Sequence, residues 1–141
     1  MERRVVITGL GAITPIGNNV NETWKGIENK KCGIDNISLF DNSNFKTRLC
    51  AEAKDYNPLD YFEPKQAKRL DRSSQFALIA AREAVKNSGI TSENTDFERV
   101  GIFVSTGIGG LMTIQNQCEV NYEKGNNRVS PMFIPMSIAN M

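Results

Sequence analysis

The sequence predicts an α/β fold built on a parallel sheet, and three observations carry that reading. Residues 4–8 and Val100–Ser105 are short apolar runs that read as strands buried on both faces, and each runs into glycines. Between them lies a long stretch with helical periodicity, and strand, helix, strand is the order that parallel α/β sheets require.

Taken in order, the first run continues as "VVITGLGAIT", after which Pro15 and Gly17 punctuate a loop. Val20, Trp24 and Ile27 then fall at helical spacing, with Asn21 as N-cap and Gly33 as stop. Residues 34–63 are rich in Asn, Asp and aromatics; they hold one strand near Thr47–Ala53 and turns around Pro58. From Pro64, a good first helical residue, to Gly89, a good terminator, a single helix is expected. Leu70, Ser74, Ala77, Leu78, Ala81 and Val85 make its apolar stripe, and Phe76, Ile79 and Ala80 on the far side imply cover on both faces. Residues 111–124 read as a further helix, and Pro131 and Pro135 keep the following segment extended up to Pro135.

Composition narrows the function. Seventeen basic and sixteen acidic side chains leave a net charge of +1, so bulk electrostatics favour neither nucleic acid nor an anionic membrane. No apolar run approaches the ~18 residues of a membrane span, and "MERRVVITG" lacks the core of a signal peptide. A cytoplasmic protein is expected. Cys32, Cys50 and Cys118 form no C-x-x-C pair and read as reduced, inert thiols. The chain has no histidine, which removes the commonest general base and the commonest metal ligand.

The motifs sort by what they lack. Gly9 and Gly11 begin a G-x-G-x-x-G pattern, but Thr14 stands at its last position and Pro15 interrupts the helix start. A nucleotide-binding module is therefore the disfavoured alternative. "STGIGG", Ser105–Gly110, lacks the lysine of a phosphate loop; its glycines let the backbone pass close to another segment, a subunit or a ligand tail. Lys65, Lys68, Arg69 and Arg72 sit at i, i+3, i+4 and i+7 of the expected helix. They form either a solvated face or a docking site for an acidic partner, with only Asp71 and Glu63 nearby to neutralise them.

Together, "RRVVITGLGAITPIGNN", "QAKRLDRSSQFALIAAREAVKNSGI", "GIFVSTGIGG" and "RVSPMFIPMSIANM" resemble the β-ketoacyl-acyl-carrier-protein synthases, and "GIGG" with "SPMFIP" resembles the elongating synthase II kind. The resemblance implies a thiolase-like, five-layered α-β-α-β-α fold in a homodimer, of which residues 1–141 are part of the first half. It implies fatty-acid elongation by decarboxylative Claisen condensation of acyl and malonyl thioesters carried on acyl carrier protein, with no cofactor or metal. Family catalysis uses a cysteine nucleophile and two histidines, and none of these has a counterpart within this chain. What does carry over is non-catalytic. Lys65, Lys68 and Arg69 match the carrier-protein docking site, Ile108 matches a residue lining the acyl pocket, and Phe133 and Ile134 match residues that reach the partner subunit's acyl pocket. A non-catalytic partner of the chain-length-factor kind, which keeps the fold without the cysteine, is the alternative.

Overall fold

A computed structural model of the chain describes residues 4–138. The helices are α1 (Val20–Glu28), α2 (Pro64–Ala67), α3 (Arg72–Ser88), α4 (Leu111–Lys124) and α5 (Phe133–Ser137); β1 (Ile34–Asn36) and β2 (Leu49–Ala51) form an antiparallel pair with Asp35 opposite Cys50. The chain resolves into two compact units. The first comprises the residues up to Tyr56 with Ile79–Thr95, and the second comprises Asn57–Leu78 with the residues from Asp96 onward. Helix α3 contributes to both.

In the first unit, α1 starts two residues earlier than expected. Asn19, not Asn21, is the N-cap: its side chain accepts from the Glu22 N–H at 2.8 Å, and the Glu22 carboxylate accepts from the Asn18 N–H at 2.8 Å. The first bond satisfies a free N–H of the first turn, and the second ties the residue before the N-cap to the helix. The helix ends at Glu28 rather than running to Gly33, with the Asn29 N–H closing on Lys25 O. Glu52, buried after β2, accepts from the Ser38 N–H and hydroxyl and from the Leu39 N–H, which fixes the hairpin's far end.

Glycines decide how the first apolar segment meets α3. An ideal Cβ on Gly9 would lie 2.1 Å from Ala84 O, and one on Gly11 would lie 1.8 Å from Ala80 O. The helix backbone thus sits where any side chain would be. Glu83 completes the contact by accepting from the Ala12 N–H at 3.0 Å and from the Val20 N–H at 3.0 Å.

Several expectations are corrected. Residues 4–8 and Val100–Ser105 join no ladder among the described residues, and Ile7 and Phe103 are 81 % and 97 % exposed. A strand exists only where a neighbour supplies its N–H and C=O partners. The helix expected from Pro64 to Gly89 is two helices separated by a turn at residues 68–71. Its covered face is also rotated. Asp71, Gln75 and Ile79 are buried, while Ala77, Leu78, Ala81 and Val85 are exposed; within the first unit, Gly9 and Gly11 back onto Ala84 and Ala80. Finally, α5 is helical where an extended segment was expected. Pro135 is its third residue, inside the first turn where an N–H has no intrahelical acceptor, so the ring costs no bond. The expected bounds of α4 hold, as does the stop at Gly89, whose φ is +69°.

Buried apolar side chains are few. Among the described residues they are Ile79 in the first unit and Phe62 in the second. No described helix is long and apolar enough to cross a membrane.

Candidate acyl and carrier-protein site

All six residues singled out from the sequence lie in the second unit. Lys65 is on α2, and Lys68 and Arg69 are on the turn behind it; the three are exposed and make no ion pair with any described residue. Their backbone is held from α3. The buried Gln75 amide donates to Ala67 O at 2.9 Å and Leu70 O at 3.1 Å, satisfying carbonyls that the end of so short a helix leaves open. Arg72 does not continue the stripe. Its guanidinium lies 4.9 Å from the Phe76 ring centroid, a cation–π contact that turns it away from the other three cations' role.

The glycine turn before α4 is fixed differently. Gly109 and Gly110 have φ of +60° and +59°, a left-handed conformation that side-chain-bearing residues rarely adopt. Gly110 is the N-cap of α4 and has no side chain with which to cap it. Asp71 does so instead. One carboxylate oxygen accepts from the Thr113 N–H at 3.1 Å and hydroxyl at 2.7 Å; the other accepts from the Ser73 N–H at 3.0 Å and hydroxyl at 2.9 Å. Ser73 Oγ in turn accepts from the Gly110 N–H at 3.3 Å. Burial pushes the Asp71 carboxyl up, but the bonds from Thr113 and Ser73 outweigh it and hold the group below its ordinary range.

The same turn touches the helix carrying Phe133 and Ile134. A Cβ on Gly110 would lie 2.2 Å from Ser137 O, so α5 passes where only glycine leaves room. Phe133 is half-buried and borders a hollow of about 420 Å³ with Val129, Gln117, Cys118, Asn121 and Asn126. A second hollow of about 260 Å³ lies between Phe76, Arg72 and the Gly109–Met112 turn. Ile108 lines neither of these two and is 74 % exposed; Ile134 is also exposed. The structure therefore brings the Ile108 turn and α5 together at Gly110, without closing a cavity around Ile108. The anchors Asp71, Gln75 and Thr113 were missed from the sequence, although "LDRS" carries the Asp-x-Ser signature of an N-cap.

Burial and the Glu52 carboxylate push the Cys50 thiol up, away from a nucleophilic thiolate; Cys32 and Cys118 are free and exposed. Among the described residues no cluster of His, Cys, Asp and Glu could hold a metal ion.

Residues 2–141 match the β-ketoacyl synthase N-terminal domain. The chain belongs to the β-ketoacyl synthase family. The 3-oxoacyl-[acyl-carrier-protein] synthase 2 of Staphylococcus aureus strain N315 is 41 % identical over 139 residues, and that of Synechocystis sp. is 40 % identical over 140 residues. Each alignment takes in 99 % of this chain and 34 % of the relative, so the chain spans about a third of the length of these synthases. Among solved structures, the ishigamide ketosynthase/chain length factor superposes with a TM-score of 0.79 at 28 % identity, covering 99 % of this chain and 35 % of that one. A type II PKS ketosynthase, solved with its acyl-carrier protein and bound to the hexaketide, gives 0.74 at 25 % identity, covering 98 % and 37 %. The fold is thus thiolase-like, and the glycines of "TGLGAITPIG" serve helix packing in a condensing-enzyme family rather than a nucleotide.

Proposed function

We propose that this chain is the amino-terminal part of a condensing enzyme that lengthens acyl chains on acyl carrier protein. The reaction is a decarboxylative Claisen condensation. An acyl group passes from carrier-protein thioester to an enzyme cysteine, releasing the carrier thiol. Malonyl-carrier protein then loses carbon dioxide. The resulting carbanion attacks the enzyme thioester and expels the cysteine thiolate, leaving a β-ketoacyl carrier protein. The cysteine and two histidines that the family uses lie, on this reading, in sequence beyond Met141. The protein is cytoplasmic and works as a homodimer, with Ile108 lining one subunit's acyl pocket and Phe133 and Ile134 reaching the partner's.

The observation that carries the reading, beyond family membership, is the cationic triad. Lys65, Lys68 and Arg69 are exposed, make no ion pair among the described residues and sit on a short segment whose backbone Gln75 holds, which suits capture of an acidic carrier protein. Reversing all three to glutamate in the full-length protein is expected to raise KM for acyl-carrier protein at least tenfold, a loss typical of several interface charges, with little change in self-acylation from a small thioester. An unchanged KM would leave the triad a solvated face. The 141 residues alone should release no carbon dioxide from malonyl-carrier protein, since they contain no histidine and none of their cysteines matches the family nucleophile.

A second reading, a non-catalytic partner of the chain-length-factor kind, is favoured by the likeness to the ketosynthase/chain length factor. Carbon-dioxide release by the full-length protein separates the two.

A further inference from the structure

One carboxylate caps two helices. Asp71 precedes α3 and accepts from the Ser73 N–H, as an N-cap does for its own helix. Its other oxygen accepts from the N–H of Thr113, the third residue of α4, which is the bond that the N-cap Gly110 cannot supply. Two helix amino termini, each with the positive end of its peptide dipoles, thus face a single anion that is 5 % exposed. The Thr113 hydroxyl adds the shortest bond of the set at 2.7 Å, and the Ser73 hydroxyl relays the anchor to the Gly110 N–H. Ile108 stands two residues before that anchored glycine.

We infer that Asp71 is a positioning residue for acyl-chain selection: through Thr113 and Ser73 it fixes the Gly109–Gly110 turn, and with it the depth at which Ile108 meets an acyl tail. The inference rests on the reading of Ile108 as an acyl-pocket wall. It follows from geometry: among the described side-chain bonds the left-handed glycine pair is anchored only through Asp71 and Ser73, and once these let go only the packing of Gly110 on Ser137 O restrains it. Displacing a pocket wall by about an ångström is enough to change turnover of a substrate that fills the pocket by one to two orders of magnitude.

The test uses the full-length protein and reads kcat/KM for self-acylation with short and long acyl thioesters. Thr113→Val removes the hydroxyl donor and keeps the backbone bond, so it is milder than Asp71→Asn and should fold. It is expected to change the long-to-short ratio about tenfold, and Thr113→Ser, which keeps the donor, should restore it to within about twofold. Glu83→Gln loosens the corresponding anchor of the first unit and should lower Tm while leaving the ratio alone. A lowered Tm with an unchanged ratio in Thr113→Val would overturn the inference and make the Asp71 cluster merely structural. Ile108→Phe distinguishes the underlying reading. If it spares short primers and rejects long ones, an unchanged Thr113→Val ratio counts against positioning alone. If it lowers all lengths equally, the pocket-wall reading fails and takes the inference with it.

Discussion

The first glycine turn, Gly9–Gly11, and the second, Gly107–Gly110, follow apolar segments of similar composition and each precedes a helix. In the first, the missing Cβ atoms make room for a neighbour: Ala80 O and Ala84 O occupy the space, and neither glycine has a positive φ. In the second, Gly109 and Gly110 are needed for their own torsion, Gly110 also leaves room for Ser137 O, and Gly107 faces open space. Each turn is anchored by one carboxylate, Glu83 for the first and Asp71 for the second. The same letters therefore do two jobs. One turn is closed by packing, and the other is held at its base with its outer side free, which is the arrangement a wall facing a ligand tail requires.

The largest effects should come from filling the occupied spaces. Gly11→Ala puts a methyl 1.8 Å from a helix carbonyl that cannot swing away, and Gly110→Ala adds a 2.2 Å clash with Ser137 O to a strained φ. Both should destabilise the full-length protein at or above the top of the ~1–3 kcal/mol range for overpacking, read by denaturant unfolding. Equal stability of either variant with wild type would break the distinction between clamped and open positions.

Neutralising the anchors should cost less. Glu83→Gln and Asp71→Asn each leave amide hydrogens facing backbone donors, a loss of about 1–3 kcal/mol for unsatisfied buried groups. Acid should sharpen the contrast further. Burial pushes Asp71 up, but its hydrogen bonds prevail, and its folded pKa lies below the ordinary 3.8. Ser38's hydroxyl bond chiefly does the same for Glu52, against an ordinary 4.5. A depressed carboxyl contributes stability that is full above its unfolded pKa and is lost as pH falls through the folded one. Tm should therefore hold from neutrality to about pH 5 and fall below pH 4, and Asp71→Asn and Glu52→Gln should each flatten that fall. The smallest effect belongs to Gly107→Ala, which meets nothing within 4 Å and should stay within ~0.5 kcal/mol of wild type.

What the sequence made legible is what local chemistry decides. Gly110 and Gly125 bracket α4, Pro64 opens α2 and Gly89 stops α3 by its left-handed φ. The break at residues 68–71 was not legible, because "KRLDR" is compatible with a helix; the Gln75 amide instead donates back to Ala67 O and Leu70 O, a use of the side chain that its residue type does not announce. The Asn19-x-x-Glu22 capping box was present in the letters and lost to Asn21. Of the candidate site, the exposure of the Lys65, Lys68 and Arg69 cations was legible. The anchors were not, because an aspartate beside a basic stripe looks like a counter-charge until its oxygens are seen to face two helices.

That double cap separates two responses to ionic strength. The charges of Lys65, Lys68 and Arg69 stand in solvent, where mobile ions within about 8–10 Å shield them at ordinary salt. Asp71 is buried, and its counter-charge is two sets of peptide dipoles at hydrogen-bond distance, which no dissolved ion can enter. Adding salt should therefore weaken the proposed capture of carrier protein while leaving the turn, and the chain length it admits, unchanged. On the proposed reading, the two halves of substrate choice, who delivers the acyl group and how long it is, are separately tunable in one stretch of about fifty residues from Lys65 to Thr113.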